Sequence, residues 1–193
     1  MTGAPALLAP LSVQRTLLSG ARALGGAWGA TLELSILLIC LPWEALAIEL
    51  QRIDWDRGYV PVPLRGGLGM RALVLSTDAE KAILRIAGEV AGRGQAATAG
   101  RGPRLQAKLF RLDRLLDRLA EAAPETIQLP EWNFHGLRVG AEGELRRAGA
   151  SEPEIAAVFG RTGGEVSRGV RGDVELARLA LERWSRLLSH ARC

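Results

Sequence analysis

Cysteine is scarce in this chain: Cys40 and Cys193 are the whole supply. Two thiols exclude a disulfide framework and a cysteine-rich zinc site, and they fit a reducing cytoplasm. Uninterrupted apolar runs of the roughly 18 residues needed to cross a bilayer are missing. The longest candidate, residues 34–43, is too short and lies between Glu33 and Glu44, so no membrane partner is expected. The first residues carry no basic cluster, so they do not read as a secretory signal. Lysine occurs only at Lys81 and Lys108, and tyrosine only at Tyr59. Chemistry that needs a phenol therefore has one residue to draw on.

What is present is apolar residues and arginine. The chain has 193 residues, 48% of them hydrophobic and 24% charged, enough for one soluble domain with a real core. The net charge is +4, carried almost wholly by guanidinium groups. Their planar forks suit phosphate oxygens, so a nucleic-acid partner is compatible with the composition. No cofactor and no metal are expected.

Residues 1–10 read as a loose lead-in and 11–193 as one domain. Ser12 is placed to cap a helix through about Leu24, with Val13, Leu17, Leu18 and Ala21 on one side. Gly25-Gly26 breaks it. Residues 31–50 are the most apolar segment and read as buried helix, with Pro42 opening a second helix or a kink. Residues 55–64, with Gly58 as turn, and 70–75 read as two short strands joined by the turn 65–69. Thr77 and Glu80 have capping-box spacing and open a helix to about residue 91. Residues 92–103 are rich in Gly and Ala and read as a loop. Residues 104–122 place Leu105, Leu109, Leu112, Leu115, Leu116 and Leu119 at helical spacing, their arginines interleaved with Asp113 and Asp117 as on a solvated face. Asp173 is placed to cap a last helix whose stripe is Leu176, Leu179, Ala180, Trp184 and Leu187. The fold class predicted is mainly α with a small antiparallel sheet.

The stretch 129–160 holds the most specific pattern. Ser151 precedes Glu154 by three, Pro153 falls in the first turn, and Gly160 is placed to end the helix. Ala156, Val158 and Phe159 give that helix its apolar side. Before it, His135 and Arg138 stand three apart, on one face of a helix, and an imidazole beside a guanidinium suits a phosphate.

Trp132, His135, Leu137, Arg138, Leu145, the run 149–151, Ile155, Val158, Phe159 and Gly160 together resemble the C-terminal catalytic domain of the tyrosine recombinases, the phage-integrase family. The resemblance covers roughly residues 11–188. It implies a recombinase-type catalytic domain without the family's separate N-terminal DNA-clamping domain, with His135 and Arg138 at the positions of the family's His and second catalytic Arg. The family's first Arg falls on Leu41, with Glu44 in register. Its general-acid Lys falls in the turn at Gly66, where Arg65 and Arg71 stand nearby. Its second His falls on Arg161 and its nucleophilic Tyr near Val170. Those degenerate positions remove the covalent route, because no Leu contacts a phosphate oxygen and Arg does not deprotonate to act as an acid. Thr162 and Ser167 supply hydroxyls there without a base, and Tyr59 lies on another element.

The resemblance thus implies an integrase-like domain associated with DNA integration and recombination. Its DNA-binding residues would be Arg138, Arg161, Arg65 and Arg71, its catalytic set would not be intact, and its place would be the cytoplasm. A protein-interaction module derived from an integrase, binding a recombinase-family partner, is the alternative; a recombinase with a displaced nucleophile is a third.

Overall fold

A computed structural model describes residues 8–64, 69–92, 133–161 and 170–190. Helix α1 (Leu11–Leu24) and helix α2 (Gly26–Leu37) pack against each other, followed by short helix α3 (Pro42–Leu46) and a 3-10 turn at Leu50–Arg52. A hairpin of β1 (Tyr59–Pro63) and β2 (Met70–Val74) precedes α4 (Thr77–Gly92). Beyond residue 132 lie α5 (Phe134–Arg147), α6 (Glu152–Phe159) and α7 (Val170–Ser189). Among the described residues the chain is mainly helical with one small antiparallel sheet. Residues 104–122 lie outside the described residues.

Helix α2 is the hub. Every residue from 29 to 40 is buried, as expected for a helix apolar all round. It packs against α1, α3, α4 and α7. The approach to α1 is close because Gly29 carries no side chain: a Cβ there would lie 2.3 Å from the Ala21 carbonyl oxygen. Trp184 of α7 is fully buried and donates its indole N–H to the Ile36 carbonyl at 2.8 Å, so the largest core side chain also satisfies its polar end.

The end of α2 is unusual. Cys40 N–H reaches back to Ser35 O (3.1 Å) and Ile39 N–H to Ile36 O (3.4 Å), the paired bonds of a Schellman ending. The residue that takes the left-handed conformation is Ile39, at φ 50°. A β-branched residue there is strained by about 1–3 kcal/mol, and its side chain, 2% exposed, offsets that through burial. At the end of α6, Gly160 performs the same turn at φ 66°, as expected from the sequence.

The hairpin pairs Tyr59 with Val74 through Pro63 with Met70. Val60 and Val62 face the core, both fully buried. Gly58 makes the preceding turn at φ 66°.

Several expectations are corrected. The lead-in is not loose at its end: Ala9 is buried and donates to Gly136 O at 3.3 Å. Ser12 does not cap α1; Pro10 holds that position without a side-chain bond. Thr77 does not cap α4. Ala79 N–H bonds Ser76 Oγ at 3.3 Å instead, while Thr77 turns its backbone N–H and hydroxyl to Glu182. Asp173 lies inside the first turn of α7 rather than before it. The buried stripe of α7 is Val174, Ala177, Ala180, Leu181, Trp184 and Leu188, and Leu179 is 57% exposed. On α6 it is Ile155 and Val158 that are buried, with Ala156 and Phe159 half-buried.

Replacing Trp184 with Ala is expected to cost about 3–5 kcal/mol in urea unfolding. Trp184→Phe is expected to cost less, about 1–3 kcal/mol for the Ile36 carbonyl left without its donor. A Trp184→Phe variant as stable as the wild type would show that the indole N–H contributes nothing.

Candidate functional site

Three of the residues singled out in sequence, Leu41, Arg71 and Arg138, meet around one buried carboxylate, that of Glu44. Helix α3 begins after Leu41, whose N–H donates to Glu44 Oε2 at 2.7 Å. This is half of a capping box; Leu41 has no side-chain oxygen for the other half, and its backbone carbonyl accepts the Glu44 N–H at 2.9 Å instead. Arg71 arrives from β2, its Nε 2.7 Å from Glu44 Oε1. Arg138 arrives from α5, its Nη1 3.9 Å from Glu44 Oε2. The Glu44 side chain is 4% exposed, that of Arg71 11% and that of Arg138 17%.

The two guanidiniums are held differently. Arg71 is clamped: besides Glu44, its Nη1 contacts Val158 O at 3.4 Å. Its Nε–H is nonetheless not aligned for a hydrogen bond to Glu44, and Nε and Nη2 are buried without a hydrogen-bond partner. Arg138 is tethered loosely. Its one hydrogen bond among the described residues, from Nη2 to Phe159 O, is 3.5 Å long, and its guanidinium lies 5.0 Å from the Phe159 ring centre. Burial lowers the Arg138 pKa, with Glu44 pulling it back up and Arg71 pushing it down. A guanidinium stripped of water with long contacts is one that an added oxyanion would stabilise.

Arg161, just past the end of α6, also lies 5.0 Å from the Phe159 ring centre. Its charge is committed: Nη1 and Nη2 donate to the two oxygens of Glu142 at 2.9 and 2.8 Å. That fork holds the Glu142 carboxyl below its ordinary range. Arg146 adds a bond to Glu142 at 2.8 Å and another to Glu152. Counting Arg71, Arg138, Arg146 and Arg161 against Glu44, Glu142 and Glu152 leaves one net positive charge here.

Cys40 is beside this cluster. Burial first, and the Glu44 charge second, push its thiol up to about 12, so it is a packing residue and no nucleophile.

His135 is exposed on the first turn of α5. Asn133 caps that helix, accepting from Gly136 N–H at 2.7 Å. Leu41 is half-buried and apolar, with no donor for a phosphate. Val170 begins α7, and Tyr59 is half-buried in β1. Arg65, Gly66, Thr162 and Ser167 lie outside the described residues. The structure therefore brings Leu41, Arg71 and Arg138 together around Glu44, with Arg161 beside Phe159. Sequence reasoning placed Glu44 in register without its charge role, and it missed Glu142. Only the four-residue spacing of Glu142 and Arg146 hinted at the latter. No cluster of three or more His, Cys, Asp or Glu side chains suited to a metal occurs among the described residues, and no described helix is long and apolar enough to cross a membrane.

Comparisons with protein-family models, with curated proteins and with solved structures find no match for this chain.

The lowered pKa values of Glu142, from the Arg161 fork, and of Glu154, from the Ser151 backbone N–H, give stability a defined acid limb. A carboxyl depressed on folding contributes stability above its unfolded value of about 4.3, and that contribution is lost as pH falls through the folded value. Glu142→Gln is expected to lower the urea midpoint at pH 7. Its deficit relative to the wild type should shrink as the pH drops below about 4.3. A deficit that is constant or grows on acidification would contradict the assignment.

Proposed function

We propose that this chain is a DNA-binding domain of the tyrosine-recombinase type that holds backbone phosphate and has lost strand cleavage. The observation that carries the reading is Arg138: a guanidinium on a rigid helix, mostly buried, tethered to Glu44 at 3.9 Å and to a carbonyl at 3.5 Å, so that most of its five donors are left for another oxyanion. Three further points support it. Arg71, from an element distant in sequence, lies on the same carboxylate. The position that the resemblance gives to the first catalytic Arg, Leu41, is also at this carboxylate through its backbone N–H. The mainly helical architecture with a small hairpin is the class that the resemblance implies.

The same residues argue against cleavage. Losing one transition-state donor of this kind costs about 100- to 1,000-fold, and Leu41 is such a loss. The nucleophile position, near Val170, offers no phenol, and the hydroxyls of Thr162 and Ser167 in that segment have no base beside them in sequence. With one excess positive charge at the cluster and Arg161 committed to Glu142, affinity for duplex is modest and dominated by ion release.

The exposed apolar residues Trp55, Leu64, Leu84 and Leu179 favour the second reading, a module that docks on a recombinase-family partner.

A salt titration of purified protein on duplex DNA separates the two. Binding is expected to be independent of sequence and to fall steeply from about 50 to 200 mM salt. Arg138→Ala should weaken it about tenfold and flatten the salt slope by about one. No shift even at low salt would transfer the reading to the docking module. With a nicked suicide substrate no covalent adduct is expected. A denaturation-resistant adduct mapping to Tyr59, Thr162 or Ser167 would show that a rearranged active site cleaves DNA.

A further inference from the structure

A second cationic site lies at the C-terminal ends of α5 and α7. A cavity of about 340 Å³ opens between these ends and α1. Arg15, Arg147, Arg183, Arg186 and His190 line it, with Glu144 as the one carboxylate among the described lining residues. Arg147 takes that carboxylate at 2.8 Å. Arg15 donates to the carbonyls of Leu187 and His190, and Arg183 donates to Ala148 O at 2.6 Å. Among the described residues Arg186, which is exposed, has no carboxylate partner.

Arginines gather at helix C-termini for structural reasons, since they satisfy the last carbonyls and oppose the helix dipole. The magnitudes decide whether that accounts for this group. Four guanidiniums against one carboxylate leave three positive charges in the lining. Two helix C-termini contribute about −0.5 each, so roughly two positive charges stay uncompensated. A further carboxylate, that of Glu154, is 4.0 Å from Arg183 and is not among the lining residues. Arg183 also keeps a buried Nε with no hydrogen-bond partner. Capping alone requires neither the excess charge nor the space.

We propose that this cavity binds a small phosphate-bearing molecule. Guanidinium forks match phosphate oxygens in pairs. The volume falls at the lower end of small-molecule sites, about 300–1,000 Å³. Leu11 and Leu187 supply apolar wall beside the cations, as an organic group carrying the phosphate needs. The site shares no residue with the Glu44 cluster, so it stands whether or not that cluster holds DNA.

Calorimetric titration of the full chain with inorganic pyrophosphate tests it. One saturable site is expected. Arg186→Glu should weaken it by at least about tenfold with the melting temperature of the free protein unchanged, because that side chain is exposed. Arg147→Glu should weaken it as well, and Arg138→Ala should leave it intact. Absence of saturable binding, indifference to Arg186→Glu, or equal weakening by Arg138→Ala would each overturn the proposal. Displacement of pyrophosphate by duplex DNA would also overturn it, making this face a backbone contact instead of a small-molecule site.

Discussion

The Glu44 carboxylate joins parts of the chain that nothing else ties together in the same way. It accepts the N–H of Leu41 just before α3, lies against Arg71 of the hairpin and faces Arg138 of α5. Through those arginines it reaches the last carbonyls of α6. A carboxylate removed from water costs several kcal/mol unless charge and hydrogen bonds replace the lost solvent. Here replacement requires elements from three regions of the sequence to be in place at once. Glu33 repeats the device on the other side of α2, gripping Arg22 of α1 and Arg85 of α4. Buried carboxylates that each gather two guanidiniums are how an arginine-rich, lysine-poor chain positions its helices.

The route by which Glu44 arrives is itself constrained. Helix α2 ends on Ile39 in a conformation that usually calls for glycine. The reversal drops Cys40 into the core and delivers Leu41 to the start of α3. A residue without a side chain would make the turn more easily but would leave a hole where Ile39 is now almost completely buried. The strain is therefore local and the compensation is packing, and the Leu41–Glu44 step depends on both. The functional reading inherits this geometry: Arg71 is clamped by a close ion pair, and Arg138 is held at arm's length with donors to spare.

Local chemistry was legible in the sequence. The Ser151–Glu154 capping box and the Gly160 ending of α6 stand where their spacing put them, as do the Gly25-Gly26 break and the hairpin. Each is decided by neighbours within a few residues. What depends on tertiary partners was not legible. Thr77 has the capping-box spacing in sequence, yet Ser76 takes the cap and Thr77 bonds Glu182 of α7. Leu179 fits a helical stripe, yet the core meets α7 on a face rotated past it. A buried glutamate is written with the same letter as a solvated one, so neither the Glu44 cluster nor the cation-lined cavity by Arg183 could be read without the fold.

The account turns on the difference between the two arginines that share Glu44, and coupling energies measure that difference directly. Double-mutant cycles of Glu44→Gln with Arg71→Met and with Arg138→Met, read by urea unfolding, remove each pair while keeping side-chain length. The account gives a strong Glu44–Arg71 coupling, about 2 kcal/mol or more, and a Glu44–Arg138 coupling below about 1 kcal/mol. Equal couplings, or a stronger one for Arg138, would contradict it, because Arg138 would then be saturated by Glu44 and would have nothing left for a phosphate.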